Sequence, residues 1–218
     1  DNRRSRGLGD VYKRQAPELA YRRYGDAWFD DQFTYSGETS ISRVQFAFEE
    51  HTPDELGIRA RGFPIGPDDR FSDRFRSMGY PSRFVNRFDS RHEFAAPAHW
   101  GIFDVVPAFV ARLTAWDDDF ADFSPEITEK RRVFAAGSLR ISTRFQHVDP
   151  DAENTLLDIH RLRHLVEPSL HVWYGYSDVD QSAYPVYDDS VESLADGAAV
   201  RLGPVSYTHL RAHETFGY

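Results

Sequence analysis

The chain contains no cysteine and only one methionine among its 218 residues. Without cysteine it forms neither a disulfide framework nor a thiolate zinc site. Long apolar runs are also missing: the longest, "VVPAFVA" (Val105–Ala111), is far below the roughly 18 residues of a membrane-spanning helix. A basic excess is missing too, because the formal net charge is −9. That charge argues against a nucleic-acid partner and against a basic helix on a membrane surface.

Motifs for catalysis or metal binding are absent as well. No Walker, Rossmann or Gly-x-Ser-x-Gly pattern occurs,. His160 and His164 have the spacing of metal ligands on a helix, but on a strand they lie roughly 13 Å apart, too far to share one ion. The acidic stretch "DVDQSAYPVYDD" (Asp178–Asp189) lacks the glycine and the bidentate glutamate of a calcium loop, and is expected to be a solvated acidic connection,. The sequence therefore predicts no catalytic residue, no metal and no cofactor.

Strict alternation of apolar and polar residues is the strongest pattern that is present. It covers Ser42–Glu50, Arg87–Phe94, Gly101–Trp116, Val133–Phe145 and Arg161–Tyr176. The longer stretches exceed the 5–6 residues typical of ordinary strands and reach the roughly 9–11 that a membrane strand needs. Weaker strand patterns occur at Phe29–Gly37 and in the opening stretch. The sequence predicts an all-β fold of about seven or eight long antiparallel strands in an open, curved sheet.

The two faces of these strands differ in chemistry. One face collects apolar residues, namely Val105, Phe109, Leu113, Leu139, Ile141, Leu170, Val172 and Tyr174. The other carries full charges, namely Asp89, Arg91, Glu93, Arg112, Arg140 and Arg144. Unpaired charges need water, which is supplied either by outside solvent or by the wet lumen of a barrel.

Aromatic residues stand near the strand ends, which favours the barrel. Trp100 and Trp116 bracket one strand, and Trp173, Tyr174 and Tyr176 close another. Aromatic girdles at both membrane interfaces are typical of outer-membrane barrels. The lumen is therefore the preferred interpretation of the charged face, with Asp89, Arg91, Glu93, Arg112, Arg140 and Arg144 as lumen-facing candidates.

Both ends of the chain differ in character from the middle. "GLGDVYKRQ" (Gly7–Gln15) and "VSYTHLRAHET" (Val205–Thr215) resemble translated sequencing-library adapter, and such segments carry no fold information. Residues 1–15 and 204–218 are therefore expected to be artefacts detached from the sheet. Residues 16–203 are expected to be part of a β-barrel domain cut from a longer gene.

Several motifs in the second half of the chain resemble one known family. They are "LRHLVEPSLHVWYGY", with His164, Glu167 and Pro168, then "SAYPVYDDSVES", with Tyr187, Asp188 and Asp189, and upstream "RFDSRHEFAAPAHWGIFDVVPAFVARLTAW". In this order they resemble the outer-membrane lipopolysaccharide-assembly protein family LptD, also called organic solvent tolerance protein OstA. The resemblance covers most of Arg87–Gly203 and weakens over Ala16–Asn86.

The resemblance implies a role in transport rather than an enzyme. The chain would be a fragment of the translocon that assembles lipopolysaccharide into the outer leaflet of the Gram-negative outer membrane. Implied partners are lipopolysaccharide, membrane lipids, a plug lipoprotein of the LptE type and the periplasmic Lpt bridge, with no nucleic acid. Two alternatives stay open: another outer-membrane barrel acting as a channel or enzyme, and a soluble carbohydrate-binding β-sandwich. Closure of the strands on themselves distinguishes the first alternative, and independence from detergent distinguishes the second.

Overall fold

The computed structural model describes residues 12–15, 17–57, 65–154, 159–194 and 196–212. These residues form one antiparallel sheet. Its strands are β1 (Tyr12–Gln15), β2 (Leu19–Trp28), β3 (Phe33–Ala47), β4 (Val85–Ala95), β5 (Ala98–Trp100), β6 (Phe103–Trp116), β7 (Arg131–Thr143), β8 (Phe145–Asn154), β9 (Ile159–Ser177) and β10 (Gly197–Ala212). The loops contain one short helix, α1 (Phe71–Ser77), and a 3-10 turn at Gln181–Ala183. The prediction of an all-β chain with long antiparallel strands in an open sheet is confirmed.

The strands follow one another across the sheet in the order β3, β4, β6, β7, β9 and β10. At three places in the sheet, two consecutive strand segments lie end to end against one longer neighbouring strand. β1 and β2 both pair with β3, β4 and β5 both pair with β6, and β7 and β8 both pair with β9. Within the described part of the chain, β10 pairs only with β9, and β1 and β2 pair only with β3. The sheet therefore has two open edges.

Proline positions fit these breaks. Pro107 lies inside β6, where it is opposite Leu139 of β7. On its other side, Pro107 lies beside the gap between β4 and β5, where the Ala96 N–H donates to the Pro107 carbonyl oxygen at 3.0 Å. A proline offers no N–H, and here the adjacent strand is interrupted, so little pairing is lost. Pro168 of β9 lies opposite Pro204 of β10, so neither residue brings a backbone donor to that pair.

The two ends of the sheet have different connections. At one end, long connections join β3 to β4, β6 to β7, and β9 to β10. Their described residues are 48–57 and 65–84, then 117–130, then 178–194 and 196. At the other end, residues 29–32 form a tight turn between β2 and β3, and Gly101 and Ile102 form one between β5 and β6. Gly101 has a φ of 62°, a conformation that glycine adopts without steric cost. The sheet thus has a long-loop end and a short-turn end.

Successive strands are displaced in one direction along the sheet. At the long-loop end the last pairs are Val44 with Val85, Arg87 with Trp116, Phe134 with Ser177 and Gly175 with Gly197. At the short-turn end, β9 continues to Ile159, well past its pairing with β7, which reaches Ser169. At the long-loop end each strand therefore stops earlier than its predecessor, and at the short-turn end β9 and β10 extend furthest, so the outline of the sheet is slanted.

The buried core lies at the long-loop end. It combines strand residues with loop residues: Val44, Phe46, Phe48, Val85, Trp116, Phe120, Val179, Ala183, Tyr184 and Tyr187. Rings stack directly within it, with 4.1 Å between the centroids of Trp116 and Tyr184 and 4.2 Å between those of Phe46 and Tyr187. The loops are therefore packed into the fold. No helix in the part of the chain that the structure describes is long and apolar enough to cross a membrane.

The terminal segments differ from expectation. Tyr12–Gln15 pair with Val44–Ala47 of β3, and Pro204 continues the ladder of β10 against Pro168 of β9. The prediction of detachment is wrong for residues 12–15 and 204–212, while 1–11 and 213–218 lie outside the described residues. Backbone pairing at an open edge places little demand on sequence, and that explains how such segments join the sheet. Their adapter origin stays a prediction.

Candidate functional site

The register places the two chemical faces on opposite sides of the sheet. Val105 lies opposite Ile141, and Ile141 lies opposite Leu170, so these side chains share one face. Phe109, Leu113, Leu139, Val172 and Tyr174 fall on the same side by their pairing positions. Asp89, Arg91, Glu93, Arg112 and Arg140 fall on the opposite side. The register agrees with the predicted separation for these residues, whereas Arg144 lies in the break between β7 and β8. The two sides are called the apolar face and the polar face below, and a lumen on the polar side stays a prediction.

The polar face is itself divided into two halves. Next to the long-loop end, residues 178–194, called the inner loop below, pack onto it and form its capped half. Next to the short-turn end the side chains are uncovered and form its open half. Sequence reasoning treated the inner loop as a solvated acidic connection. That interpretation is wrong, because Val179, Ala183, Tyr184, Tyr187, Val191 and Glu192 are all buried.

Three arginines from three neighbouring strands bind the inner loop. Arg87 of β4 donates from Nη1 to Glu192 Oε1 at 2.8 Å. Arg112 of β6 donates from Nη1 to the Ser190 carbonyl at 2.6 Å. Arg132 of β7 donates to the Glu192 carbonyl at 2.7 Å and to the Val191 carbonyl. The loop segment from 190 to 192 is therefore tied to β4, β6 and β7 by charge-assisted hydrogen bonds.

Asp89 and Arg112 form a second pair beneath the loop. Arg112 grips the carboxylate with Nε at 2.8 Å and Nη2 at 2.9 Å, and the Thr114 hydroxyl donates to the same carboxylate at 2.8 Å. Both side chains are nearly inaccessible to solvent. The expectation that charges on this face need water is wrong for these two residues, because bidentate pairing and neighbouring polar groups satisfy them.

Burial dominates the ionisation of the inner loop. Burial raises the pKa of Glu192 above its ordinary value, against the attraction of Arg87. The same carboxylate also accepts the Asp188 N–H at 2.6 Å. Burial likewise raises the pKa of Tyr184 to about 12 and raises that of Tyr187 further. The two tyrosines therefore keep their protons near neutral pH and serve as structural contacts,.

The open half contains the remaining candidates. Arg91 forms an ion pair with Glu93 two positions along β4. Arg144, in the break between β7 and β8, lies 3.5 Å from Glu167 of β9. Arg140 forms no ion pair with any residue that the structure describes. It lines a cavity of ≈ 450 Å³ together with His99, Asp104 and Ser142.

The family-motif residues are spread over both faces: His164 and Pro168 fall on the apolar face, Glu167 on the polar face and Asp188 in the inner loop. His164 Nε2 lies 2.8 Å from the Ser206 hydroxyl of β10, and Pro168 faces Pro204. Glu167 lines the cavity of the open half. Asp188 caps a turn of the inner loop by accepting the Ser190 N–H at 3.1 Å. The structure does not bring these four residues into one site.

The apolar face is exposed although its side chains are large. Leu19, Tyr21, Ile41, Trp100, Phe109, Tyr174, Val200 and Leu202 have exposed fractions between 50% and 80%. No second sheet or helix packs against this face in the described residues. A contiguous apolar surface of this extent is typical of a protein that binds a membrane or a partner.

The aromatic girdle is only partly as predicted. Trp100, Tyr174 and Tyr176 are exposed. Trp116 is 4% exposed and belongs to the core of the capped half. Trp173 lies on the polar face, where its ring stacks with Phe134 and covers Gly175. The prediction of a girdle position is wrong for Trp116 and Trp173, because alternation places both side chains on the polar face.

Polar groups on the apolar face satisfy one another. The Tyr35 hydroxyl lies 2.7 Å from His92 Nδ1, His92 Nε2 lies 3.0 Å from the Ser90 hydroxyl, and that hydroxyl lies 2.8 Å from Thr39 Oγ1. The Tyr35 side chain leans over Gly37, where any Cβ would lie 2.4 Å from the tyrosine hydroxyl. This chain of hydrogen bonds lowers the cost of placing polar groups in an apolar setting.

No metal site or known relative adds to this geometry. The described residues contain no group of three or more His, Asp or Glu side chains that could hold a metal ion. The His160 side chain lies outside the described side chains. The chain matches no family model, no curated protein and no solved structure.

Proposed function

We propose that this sheet is a wall segment of a transmembrane β-barrel in the outer membrane. The observation that carries the proposal is the uncovered apolar face backed by a polar face. The six strands β3, β4, β6, β7, β9 and β10 have 11 to 19 residues and are long enough for the roughly 9–11 residues that a tilted membrane strand needs,. The apolar face would contact lipid, and the polar face would contact a hydrated lumen.

Two further features of the fold support a barrel wall. Outer-membrane barrels have short turns at the periplasmic end and longer loops outside, which matches the short-turn and long-loop ends described above. Closing a sheet into a cylinder also requires a stagger that accumulates from strand to strand, and the slanted outline of this sheet has that property. Its open edges leave room for further strands.

The motif resemblance supports a more specific role within this class. We propose that the barrel moves lipopolysaccharide to the outer leaflet, with the open half of the polar face in contact with the saccharide and acyl chains passing to the lipid side. The protein would act as a translocon rather than an enzyme. A lumenal lipoprotein and a periplasmic bridge would be its partners.

The four tryptophans provide the test of the membrane wall. Trp28 and Trp100 are exposed on the apolar face, while Trp116 and Trp173 lie on the polar face. Four variants, each retaining one tryptophan with the others replaced by phenylalanine, are refolded into vesicles with brominated acyl chains. Fluorescence of Trp28 and Trp100 should be quenched, and that of Trp116 and Trp173 should persist. A folded chain that remains monomeric in water without detergent would overturn the proposal.

The transport role requires a separate measurement. In a strain depleted of the complete protein, Arg140→Glu should reduce newly surface-exposed lipopolysaccharide, while heat-modifiable migration of the folded barrel is retained. Arg22→Glu is the matched control, because Arg22 lies on the same face at the edge strand β2 and is already paired with Glu38. Normal delivery by a folded Arg140→Glu protein would remove this residue from the transport path.

A further inference from the structure

A basic row crosses three neighbouring strands in the open half of the polar face. Arg140 of β7 lies directly opposite His171 of β9, and His171 lies directly opposite Arg201 of β10. Directly opposite residues share a face, and all three side chains are exposed. The row stands out because the chain as a whole carries a net charge of −9.

The row has no counter-charge of its own. Neither Arg140 nor Arg201 forms an ion pair with any residue whose side chain the structure describes. The nearest carboxylates in the cavity are already engaged, Asp104 by His99 and Glu167 by Arg144 at 3.5 Å. Arg140 and Arg201 are two strands apart, on either side of His171, and their like charges repel each other across that distance,. An anion bound between the two guanidinium groups would remove that repulsion.

The surroundings of the row leave room for a ligand. The positions beside the two arginines on the same face hold small residues, Ser138 and Ser142 next to Arg140 and Ala199 and Gly203 next to Arg201. His171 has Ser169 on one side and Trp173 on the other, and the Trp173 ring stacks with Phe134. At Gly203 the space that a Cβ would occupy has no atom within 4 Å. Glycine within a strand often marks a close approach by a ligand. The row is therefore reachable from above.

We propose that Arg140, His171 and Arg201 bind a phosphate monoester carried by a hydrophilic ligand on the polar face. Two strand spacings separate the Cα atoms of Arg140 and Arg201, roughly 10 Å, so their long side chains reach one tetrahedral anion between them. Guanidinium groups suit phosphate because their donors are arranged as a planar fork. His171, between the two arginines on β9, would offer the anion a further donor from its ring. The inference names a ligand class for the proposed function and rests on it for the hydrated surroundings of the row.

The test uses the whole chain refolded in a non-ionic detergent. Glucose 6-phosphate is titrated and its ³¹P resonance is followed, with glucose as the neutral competitor. Saturable binding is expected, with the dissociation constant rising at least tenfold in Arg140→Gln and in Arg201→Gln. Arg22→Gln removes the same charge from the same face, at the edge strand β2 where Arg22 is paired with Glu38 at 2.7 Å, and should leave binding unchanged. Equal losses in all three variants, or no saturable binding, would overturn the proposal.

A second measurement separates ligand binding from a structural role. Without phosphate, Arg140→Gln should unfold at a denaturant midpoint equal to or above that of the parent chain, because repulsion within the row is relieved. Addition of the sugar phosphate should raise the midpoint of the parent but not that of the variant. If vesicles of phosphatidylglycerol raise the midpoint of the parent but not that of the variant, and glucose 6-phosphate does not bind, the anion is a lipid headgroup and the proposal is wrong. Because the brominated-lipid experiment probes the opposite face, a failure of the membrane wall remains distinguishable from a failure of this site.

Discussion

Arg87 of β4 and Glu192 of the inner loop form an ion pair with 2.8 Å between Nη1 and Oε1, although 105 positions separate them in sequence. Both side chains are almost completely buried. Removing one partner of such a pair leaves a buried charge uncompensated, at a cost of about 3–5 kcal/mol. The pair therefore specifies where the inner loop docks.

The two partners should respond differently to removal. Glu192→Met leaves Arg87 charged, because guanidinium does not lose its proton in proteins, and should lower the free energy of unfolding by about 3–5 kcal/mol. Arg87→Met should cost less as the pH is lowered, because burial raises the pKa of Glu192 and protonation then removes the uncompensated charge. Denaturant unfolding followed by tryptophan fluorescence measures both. The double variant should be more stable than Glu192→Met, and strictly additive losses would contradict the pairing.

Two tyrosines of the inner loop form a matched pair of substitutions. The Tyr187 hydroxyl is buried without a hydrogen-bond partner among the described residues, whereas the Tyr184 hydroxyl lies 3.0 Å from the carbonyl oxygens of Glu129 and Arg131. Tyr187→Phe should be neutral or stabilising, because it removes an unsatisfied buried group. Tyr184→Phe should destabilise the fold by about 1 kcal/mol. Equal effects on the denaturant midpoint would show that Tyr187 has a partner in solution.

The same tyrosines predict loss of stability at alkaline pH. The folded state keeps their protons to higher pH, because burial raises the pKa of Tyr184 to about 12 and that of Tyr187 further. The unfolded chain ionises near pH 10, so it releases protons first and stability falls as pH rises above that value. Absorbance of tyrosinate at 295 nm should show two fewer late-titrating groups in the variant Tyr184→Phe/Tyr187→Phe. An unchanged late-titrating fraction would contradict the assignment.

Adjacent residues of β7 test whether the apolar face meets lipid or water. Leu139 lies on the apolar face and Ser138 on the polar face. In a bilayer, Leu139→Arg should lower the free energy of unfolding by about 2–4 kcal/mol, and Ser138→Arg should have little effect. In water the difference should vanish, because Leu139 is already 37% exposed. Folding into vesicles titrated with urea measures the contrast.

The strands were predictable from sequence because alternation reports which side of a sheet is apolar. Gly101–Trp116 and Arg161–Tyr176 were expected as strands and correspond to β6 and β9. Phe29–Gly37 and Ser42–Glu50 were expected as separate strands, whereas the structure joins them in β3. The intervening serines and Gly37 weaken the alternation, but pairing with both β2 and β4 holds the strand together.

The candidate site was less predictable because its partners lie far apart in sequence. Alternation placed Asp89 and Arg112 on the polar face correctly, but it gave no sign that a loop would cover them. The available signal was the spacing of Tyr184, Tyr187 and Val191 in the acidic loop, a set of apolar residues that a solvated connection does not need. The basic row escaped notice because His171 and Arg201 become neighbours of Arg140 only through the register of β9 and β10.

The slanted outline of the sheet has a consequence for movement along the polar face. Strands in closed barrels tilt by about 35–45° from the axis, and neighbours lie about 4.8 Å apart. A line of directly opposite residues then climbs about 3 Å along the axis for every strand it crosses. The row formed by Arg140, His171 and Arg201 would therefore run obliquely around the barrel wall instead of lying in one plane. A charged group passed along the row would turn about the barrel axis as it advances.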